Sequence, residues 1–249
     1  MNKPGGAMSP RSPTNPVRRL CWAAVVLGAL AAVGVAAMLW ANAVDTDVSD
    51  GDRQIIADLD VDDACQEVAG FDAEIHCVQR VQSAIVERYP DTSDAFKKGA
   101  THHRVVDYDR RGFGSCYDRA KLVEQALRHY GFDVRRVALY EGQPTPLHYL
   151  VPGINSHALS EVRTSNGWMV VESVDPLVGV DAEQEVYDIA RLREGIDDGS
   201  VDDETFGIEI PHNFFDGDFA YIYGVYSRHG YFFEPHLPVP EVDWASFGR

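Results

Sequence analysis

The sequence predicts an α+β fold in which a helix carrying one cysteine packs on an antiparallel sheet, after a single membrane-spanning segment. Three observations predict it: an apolar run near the N-terminus, an amphipathic pattern that begins at Cys116, and a β-hairpin pattern at 156–174. Separate helical and hairpin stretches in one chain are typical of this class. The 249 residues leave, beyond the apolar run, about 200 residues, which is the size of one domain.

The N-terminal region divides into a polar tail and an apolar run. Residues 1–19 are rich in Pro, Gly, Ser and Asn and are expected to be a disordered cytoplasmic tail. Residues 20–44 carry no charge and are long enough to form a transmembrane helix. Arg18 and Arg19 precede this run and acidic residues follow it, which places the N-terminus in the cytoplasm and the remainder outside. A cleaved signal peptide is the alternative, since residues 41–43 fit a cleavage site, but its apolar region would be shorter.

The remainder of the chain is strongly acidic. The net charge is −17, although every charged side chain before residue 45 is basic. Such a surface argues against nucleic acid or anionic lipid as a partner. In a bacterial cell the layout predicts a single-pass protein of the inner membrane with a periplasmic domain. That domain would act on a protein or peptide in the cell envelope.

The four cysteines divide by position. Cys21 lies in the apolar run, and Cys116 stands alone. Cys65 and Cys77 lie twelve residues apart in a helix-forming stretch, and they can form a disulfide if the domain is exported. In a cytosolic protein all four would remain thiols.

Further elements follow from residue patterns. We expect a linker at 45–63, and a domain at 64–249 that begins with a helix over 64–89, broken near Gly70. The stretch 91–111, which carries His102 and His103, is ambiguous. Strands are predicted at 132–140 and 147–151 and a short helix at 183–193, followed by an aromatic, extended C-terminal region from Phe206.

The Cys116 helix is the most informative element. Its apolar residues recur at spacings of three and four, which places them on one buried stripe (Ala120, Val123, Leu127 and Tyr130). Gly131 can end the helix in a left-handed conformation. A thiol at a helix N-terminus is stabilised as thiolate by unpaired N–H groups and by the helix dipole. Taken alone, Cys116 could equally be a small buried residue of a core helix.

The hairpin supplies candidates for a base and an orienting carboxylate. A two-residue Asn166-Gly167 turn would direct Asp175 to the face opposite His157. A three-residue loop, Ser165 to Gly167, would pair Thr164 with Trp168 and set His157 directly across from Asp175. Their Cβ atoms would then lie roughly 5 Å apart, within reach of a hydrogen bond. We adopt the second register. His148 is the alternative base, on a neighbouring short strand.

Three motifs together resemble the transglutaminase-like superfamily: Gly-Ser-Cys-Tyr-Asp-Arg-Ala, His-Ala-Leu-Ser-Glu-Val and Trp-Met-Val-Val-Glu-Ser-Val-Asp-Pro. The resemblance covers about residues 100–180. It implies a circularly rearranged papain-like fold with Cys116 as nucleophile, His157 as base and Asp175 as orienting residue. The chain departs from the family at Leu159, where an aromatic residue is common.

Such a triad transfers an acyl group from an amide or ester through a thioester with the cysteine. We expect a cysteine peptidase or amidase, with crosslinking transferase activity second and a non-catalytic binding domain as the alternative class. The Cys116 N–H is the expected oxyanion donor, and His102, His103 and Tyr117 are candidates for a second donor. No cofactor is implied, and a metal site at His102-His103 is disfavoured because adjacent strand side chains point apart.

Overall fold

The structure is a computed structural model that describes residues 16–41, 43–90, 105–110, 112, 114–142, 155–226 and 241–247. The chain forms two compact units, Met1–Ala41 and Asn42–Arg249. The sequence expectations for His102, His103, His148 and the strand at 147–151 lie outside the described residues, as does most of the expected tail at 1–19.

The first unit is one apolar helix, α1, which spans Pro16–Ala41. Its segment Val17–Met38 is long and apolar enough to cross a membrane, by length and composition. The helix begins and ends earlier than the predicted span of 20–44. Val44 belongs instead to the second unit, where its N–H donates a hydrogen bond to the Val242 carbonyl at 3.0 Å.

The second unit combines short helices with an antiparallel sheet, as the sequence predicts. Its helices are α2 (Asp50–Ala57), α3 (Asp62–Cys65), α4 (Phe71–Arg88), α5 (Val105–Asp109), α6 (Cys116–His129), α7 (Ile189–Asp198) and α8 (Asp203–Phe206), and a 3₁₀ segment covers His212–Gly217. Its strands are β1 (Asp133–Glu141), β2 (Ser156–Thr164), β3 (Gly167–Val171), β4 (Phe219–Tyr223), β5 (Val225–Tyr226) and β6 (Glu241–Val242). The α+β fold class is confirmed.

The main sheet has the strand order β3-β2-β1-β4, with every neighbouring pair antiparallel. Strands β5 and β6 form a separate pair. The residues of β2 alternate between the two faces of the sheet, so that Val162 packs with the side chains of α4 and α6 while Leu159 packs with those of α7. The sheet is therefore covered on both faces, and α6 crosses it at β1 and β2.

The expected linker at 45–63 is wrong from residue 50 onwards. That part contains α2, whose residues Ile55 and Ile56 are buried in the core beside α4 and α6. Ser49 begins the helix because its side chain and N–H bond with the Asp52 carboxylate in a capping box. The acidic residues in and around α2 concealed this helix, because they make the stretch polar on average although Ile55 and Ile56 face inward.

The break expected near Gly70 is present, whereas the helix expected at 183–193 is not formed as predicted. Gly70 separates α3 from α4 with a φ of +87°, as expected, and Cys65 and Cys77 join these two helices by a disulfide. The helix expected at 183–193 is wrong, because the chain is non-helical up to Asp188 and α7 begins only at Ile189. Asp188 caps that helix by accepting a hydrogen bond from the Arg191 N–H at 2.9 Å.

The hairpin between β2 and β3 has a register that differs from both alternatives. Thr164 pairs with Gly167, so the loop consists of Ser165 and Asn166, and Gly167 itself begins β3 with a φ of +134°. The N–H and the hydroxyl of Ser165 both donate to the Glu74 carboxylate of α4 at 2.8 Å. This contact with a distant helix holds the two-residue loop. Turn preferences depend only on neighbouring residues and therefore do not account for it.

Candidate active site

Cys116 is the first residue of α6, as the sequence predicts, and it is half-buried and outside the disulfide. The preceding residue, Ser115, starts the helix by donating its N–H and hydroxyl to the Asp118 carboxylate at 3.1 and 3.2 Å. Cys116 packs against a small buried cluster that includes Ala120 and Ala158, which joins the first turn of α6 to the start of β2. The thiol therefore lies at the positive end of a 14-residue helix dipole.

His157, the second residue of β2, is buried and lies beside this helix terminus. Its ring hydrogen-bonds to Cys116. Its Nε2 atom hydrogen-bonds to the Glu172 Oε1 atom. The structure thus brings together Cys116 and His157, the first two residues that the sequence analysis selected.

Glu172 follows the last residue of β3, and its side chain is fully buried. One carboxylate oxygen contacts His157, and the other accepts hydrogen bonds from the N–H groups of Val174 and Asp175. A buried carboxylate with two amide donors and one imidazole is well satisfied as an anion.

The predicted pairing of His157 with Asp175 across the hairpin is wrong. In the observed register Ser160 pairs with Val171, and the Ser173 hydroxyl donates to the Ala158 carbonyl at 2.6 Å. By this pairing Glu172 shares a face with His157 as its diagonal neighbour, whereas Asp175 falls on the alternate face. Asp175 lies in the turn, where its N–H binds Glu172.

Sequence reasoning therefore missed Glu172, although the residue was visible in the Val-Val-Glu-Ser motif. The missing information was a shift of one residue: we expected Thr164 to pair with Trp168, whereas it pairs with Gly167, and this register places Glu172 beside His157. Because strand side chains alternate, a change of register by one residue exchanges the residues that face the histidine.

The buried pair of His157 and Glu172 is ionised. Burial opposes the charged imidazole, but the charge of Glu172 and the hydrogen bonds to Cys116 and Glu172 outweigh burial and raise the pKa of His157 to about 10. Burial likewise acts to raise the pKa of Glu172, but His157 and the two backbone N–H groups lower it below its ordinary value. At neutral pH these shifts favour an imidazolium beside a carboxylate, next to Cys116.

A second network of buried charged and aromatic side chains joins α6 to β1 and β5. The Arg136 guanidinium, which is 0% exposed, pairs with Glu124 of α6 and stacks against the rings of Tyr117 and Tyr226. The Tyr226 hydroxyl donates to the Glu124 carboxylate at 2.7 Å. Tyr117, a candidate oxyanion donor, instead directs its hydroxyl to Glu241 at 3.4 Å. Among the described residues, no three His, Cys, Asp or Glu side chains group as a metal site.

A thiol at a helix N-terminus that meets a strand-borne histidine and a buried carboxylate defines a class of α+β proteins with a papain-like arrangement of site residues. Residues 62–173 match the family model of the transglutaminase-like superfamily, so the chain contains a transglutaminase-like domain. The matched range includes Cys116, His157 and Glu172 and ends before Asp175. No curated protein and no solved structure matches the chain.

Proposed function

We propose that the domain is a thiol-dependent acyl-transfer enzyme that acts on amide bonds. Cys116 is the nucleophile, His157 the general base and acid, and Glu172 the orienting carboxylate. One observation carries this proposal: a buried imidazole that hydrogen-bonds to a helix-terminal thiol and, through Nε2, to a buried carboxylate. This is the relation among nucleophile, base and orienting group that covalent catalysis requires.

The reaction follows from these roles. In the resting site His157 already holds the proton of the thiol as an imidazolium, and the Cys116 thiolate attacks the amide carbonyl carbon. Because Nε2 is bound to Glu172, the Nδ1 atom is the ring nitrogen that exchanges protons at the thiol. As the C–N bond breaks, His157 protonates the departing amine. A water molecule or a second amine then attacks the thioester, gives its proton to His157 and releases the thiolate.

The negative charge on the carbonyl oxygen needs a donor in the transition state. The Cys116 N–H lies in the first turn of α6, where backbone N–H groups have no partner within the helix. It is therefore our candidate oxyanion donor. The dipole of α6 acts in the same direction, since it favours negative charge at this end.

The N-terminal segment suggests where the substrate is found. Arg18 and Arg19 lie at the start of α1, and acidic residues follow the helix. With α1 as an uncleaved anchor, the positive-inside rule puts the domain on the outer side of the membrane. A disulfide between Cys65 and Cys77 suits an oxidising compartment. We therefore propose a protein or peptide of the cell envelope as substrate, with hydrolysis first and crosslinking to an amine second.

The first experiment measures alkylation of Cys116 by iodoacetamide in the full chain, in a Cys21→Ser background. The wild-type thiol should react readily near neutral pH, and His157→Ala should slow it at least tenfold because the thiolate loses its counter-ion. His129→Ala is the matched control, since His129 is an exposed histidine at the far end of the same helix. Equal, slow alkylation in wild type and His157→Ala would overturn the catalytic proposal and favour a non-catalytic binding domain.

A second experiment separates hydrolysis from transfer. Amide-containing peptides are incubated with the full chain, with and without a primary amine, and the masses of the products are measured by mass spectrometry. Hydrolysis gives a free carboxylate in both cases, whereas transfer gives an amine adduct. Cys116→Ser should abolish either product, and product formation that persists in this variant would contradict the assigned nucleophile.

A further inference from the structure

The turn that carries Glu172 is held by a buried glutamine of a distant helix. The Gln82 side chain of α4 donates from Nε2 to the carbonyls of Glu172 at 2.7 Å, Asp175 at 3.1 Å and Leu177 at 2.7 Å. Gln82 is 1% exposed, so water does not compete for these carbonyls. The path of the chain from 172 to 177 is therefore fixed to α4.

A buried arginine of the nucleophile helix holds the same turn. Arg119 of α6 is 2% exposed and lies three residues after Cys116, close to one helical turn. Its Nε donates to the Tyr89 carbonyl at 2.7 Å, at the end of α4. Its Nη1 donates to the carbonyls of Ser173 at 3.4 Å and Val174 at 3.5 Å. Arg119 therefore joins the helix of the nucleophile to the turn of the carboxylate.

The two turn carbonyls belong to the peptide groups that bind Glu172. The Ser173 carbonyl shares a peptide group with the Val174 N–H, and the Val174 carbonyl shares one with the Asp175 N–H. Both N–H groups donate to Glu172 Oε2. Each planar peptide group therefore has its oxygen toward the Arg119 guanidinium and its N–H toward the Glu172 carboxylate. A cation at one end of a peptide dipole and an anion at the other stabilise the same orientation and strengthen both hydrogen bonds.

We propose that Arg119 is a positioning residue for the reaction, acting through two peptide groups to hold Glu172 as an anion against His157. This inference rests on the proposed function, since it assigns the support for the orienting carboxylate. The charged and titratable groups that meet here are Cys116 and Arg119 from α6, His157 from β2, and Glu172 and Asp175 from the turn. Gln82 and the Tyr89 carbonyl, from α4, complete the surroundings.

The test compares Arg119→Met with Arg128→Met in the full chain with Cys21→Ser. Arg128 is a matched control, because it lies on the same helix and donates to a main-chain carbonyl, that of Val134, at 2.9 Å. It lies nine residues after Arg119, which is about 13 Å along the helix axis. Both variants should unfold at lower urea concentration. The discriminating measurement is the rate of Cys116 alkylation as a function of pH.

Loss of Arg119 weakens the anion that stabilises the imidazolium, so the thiolate needs a higher pH to form. We expect the midpoint of the alkylation curve to rise by about one pH unit in Arg119→Met, with at least tenfold slower alkylation at neutral pH. Arg128→Met should keep the wild-type midpoint. Arg119→Lys, which keeps the charge, should fall between the two.

The inference is overturned if folded Arg119→Met has the wild-type midpoint of the alkylation curve. Equal shifts in the Arg119 and Arg128 variants would also overturn it, because Arg119 would then have a purely structural role. If Arg119→Met does not fold, Arg119→Lys and Gln82→Met decide, and an unchanged midpoint in both overturns it as well. Failure of the proposed function itself would give a different result, because His157→Ala would then leave the rate of Cys116 alkylation unchanged in the otherwise wild-type chain.

Discussion

Replacement of Glu172 by glutamine tests the corrected site most directly, because it removes one charge and changes no shape. The carboxylate has two oxygens, one bound to His157 and one to the N–H groups of Val174 and Asp175. A glutamine has only one oxygen. If that oxygen faces the turn, its NH₂ group faces Nε2 and forces the imidazole into the other tautomer. If the oxygen faces the imidazole, the NH₂ group meets two N–H donors.

The size of the effect follows from the electrostatics of the pair. The pKa of His157 is about 10 against an ordinary 6.5, and the charge of Glu172 is the largest of the factors that raise it. Without that charge, burial pulls the pKa to its ordinary value or below. The corresponding loss of imidazolium stabilisation is roughly 3–5 kcal/mol. At neutral pH His157 then becomes neutral, the thiol keeps its proton, and alkylation should slow by a factor of about 100 or more.

The assay is the pH dependence of iodoacetamide alkylation in the Cys21→Ser background, with far-UV circular dichroism to verify folding. Asp175→Asn is the matched control, since Asp175 lies in the same turn but was selected through a register that does not form. We expect it to alkylate close to the wild-type rate. Wild-type reactivity in Glu172→Gln together with a large loss in Asp175→Asn would refute the reasoning and restore Asp175 as the orienting residue.

Three further predictions concern stability. In Cys116→Ser no thiol titrates at the site. The free energy of unfolding of this variant should fall by up to about 1.4 kcal/mol per pH unit as the pH rises above about 6.5. The raised pKa of His157 causes this slope, because the folded state then keeps a proton that the unfolded state has lost. A pH titration of urea unfolding should lose this slope when His157→Gln is added. Arg136→Met should cost roughly 3–5 kcal/mol, because it removes the nearer counter-ion of buried Glu124 and leaves only Arg128 at 3.8 Å. Adding Glu124→Gln should recover part of that loss in urea unfolding, and equal stability of the single and double variants would contradict this. Removal of the Cys65–Cys77 bridge should cost about 3 kcal/mol, given its separation of 12 residues. Reducing agent should lower the urea midpoint of the wild type equally, and insensitivity to reduction would contradict the prediction.

Local signals in the chain predicted the elements that carry the site. Helix α6 was predicted to start at Cys116 because its apolar residues repeat at helical spacing. Strands β1 and β2 and the position of the hairpin were predicted from β-branched residues and the Asn-Gly pair. Helix α2 was missed, because the acidic residues in and around it made the stretch polar on average.

The third member of the site required long-range contacts. Glu172 faces His157 because the hairpin loop has two residues, and Ser165 is held there by Glu74 of α4. Arg119 of α6 binds the carbonyls of the two peptide groups that donate to the Glu172 carboxylate, and Gln82 of α4 holds the same turn through the Glu172 and Asp175 carbonyls. These partners lie far apart along the chain, and no local pattern links them.

The sequence by itself determined the apolar N-terminal helix, the α+β class, the resemblance to the transglutaminase-like superfamily, and the placement of Cys116 and His157 at the ends of a helix and a strand. These features depend on periodicity and on motifs within a few residues of one another. Only the tertiary structure decided which carboxylate meets the imidazole. A shift of one residue in strand pairing exchanges Glu172 for Asp175 at almost no local cost, and packing against α4 and α6 selects between the two.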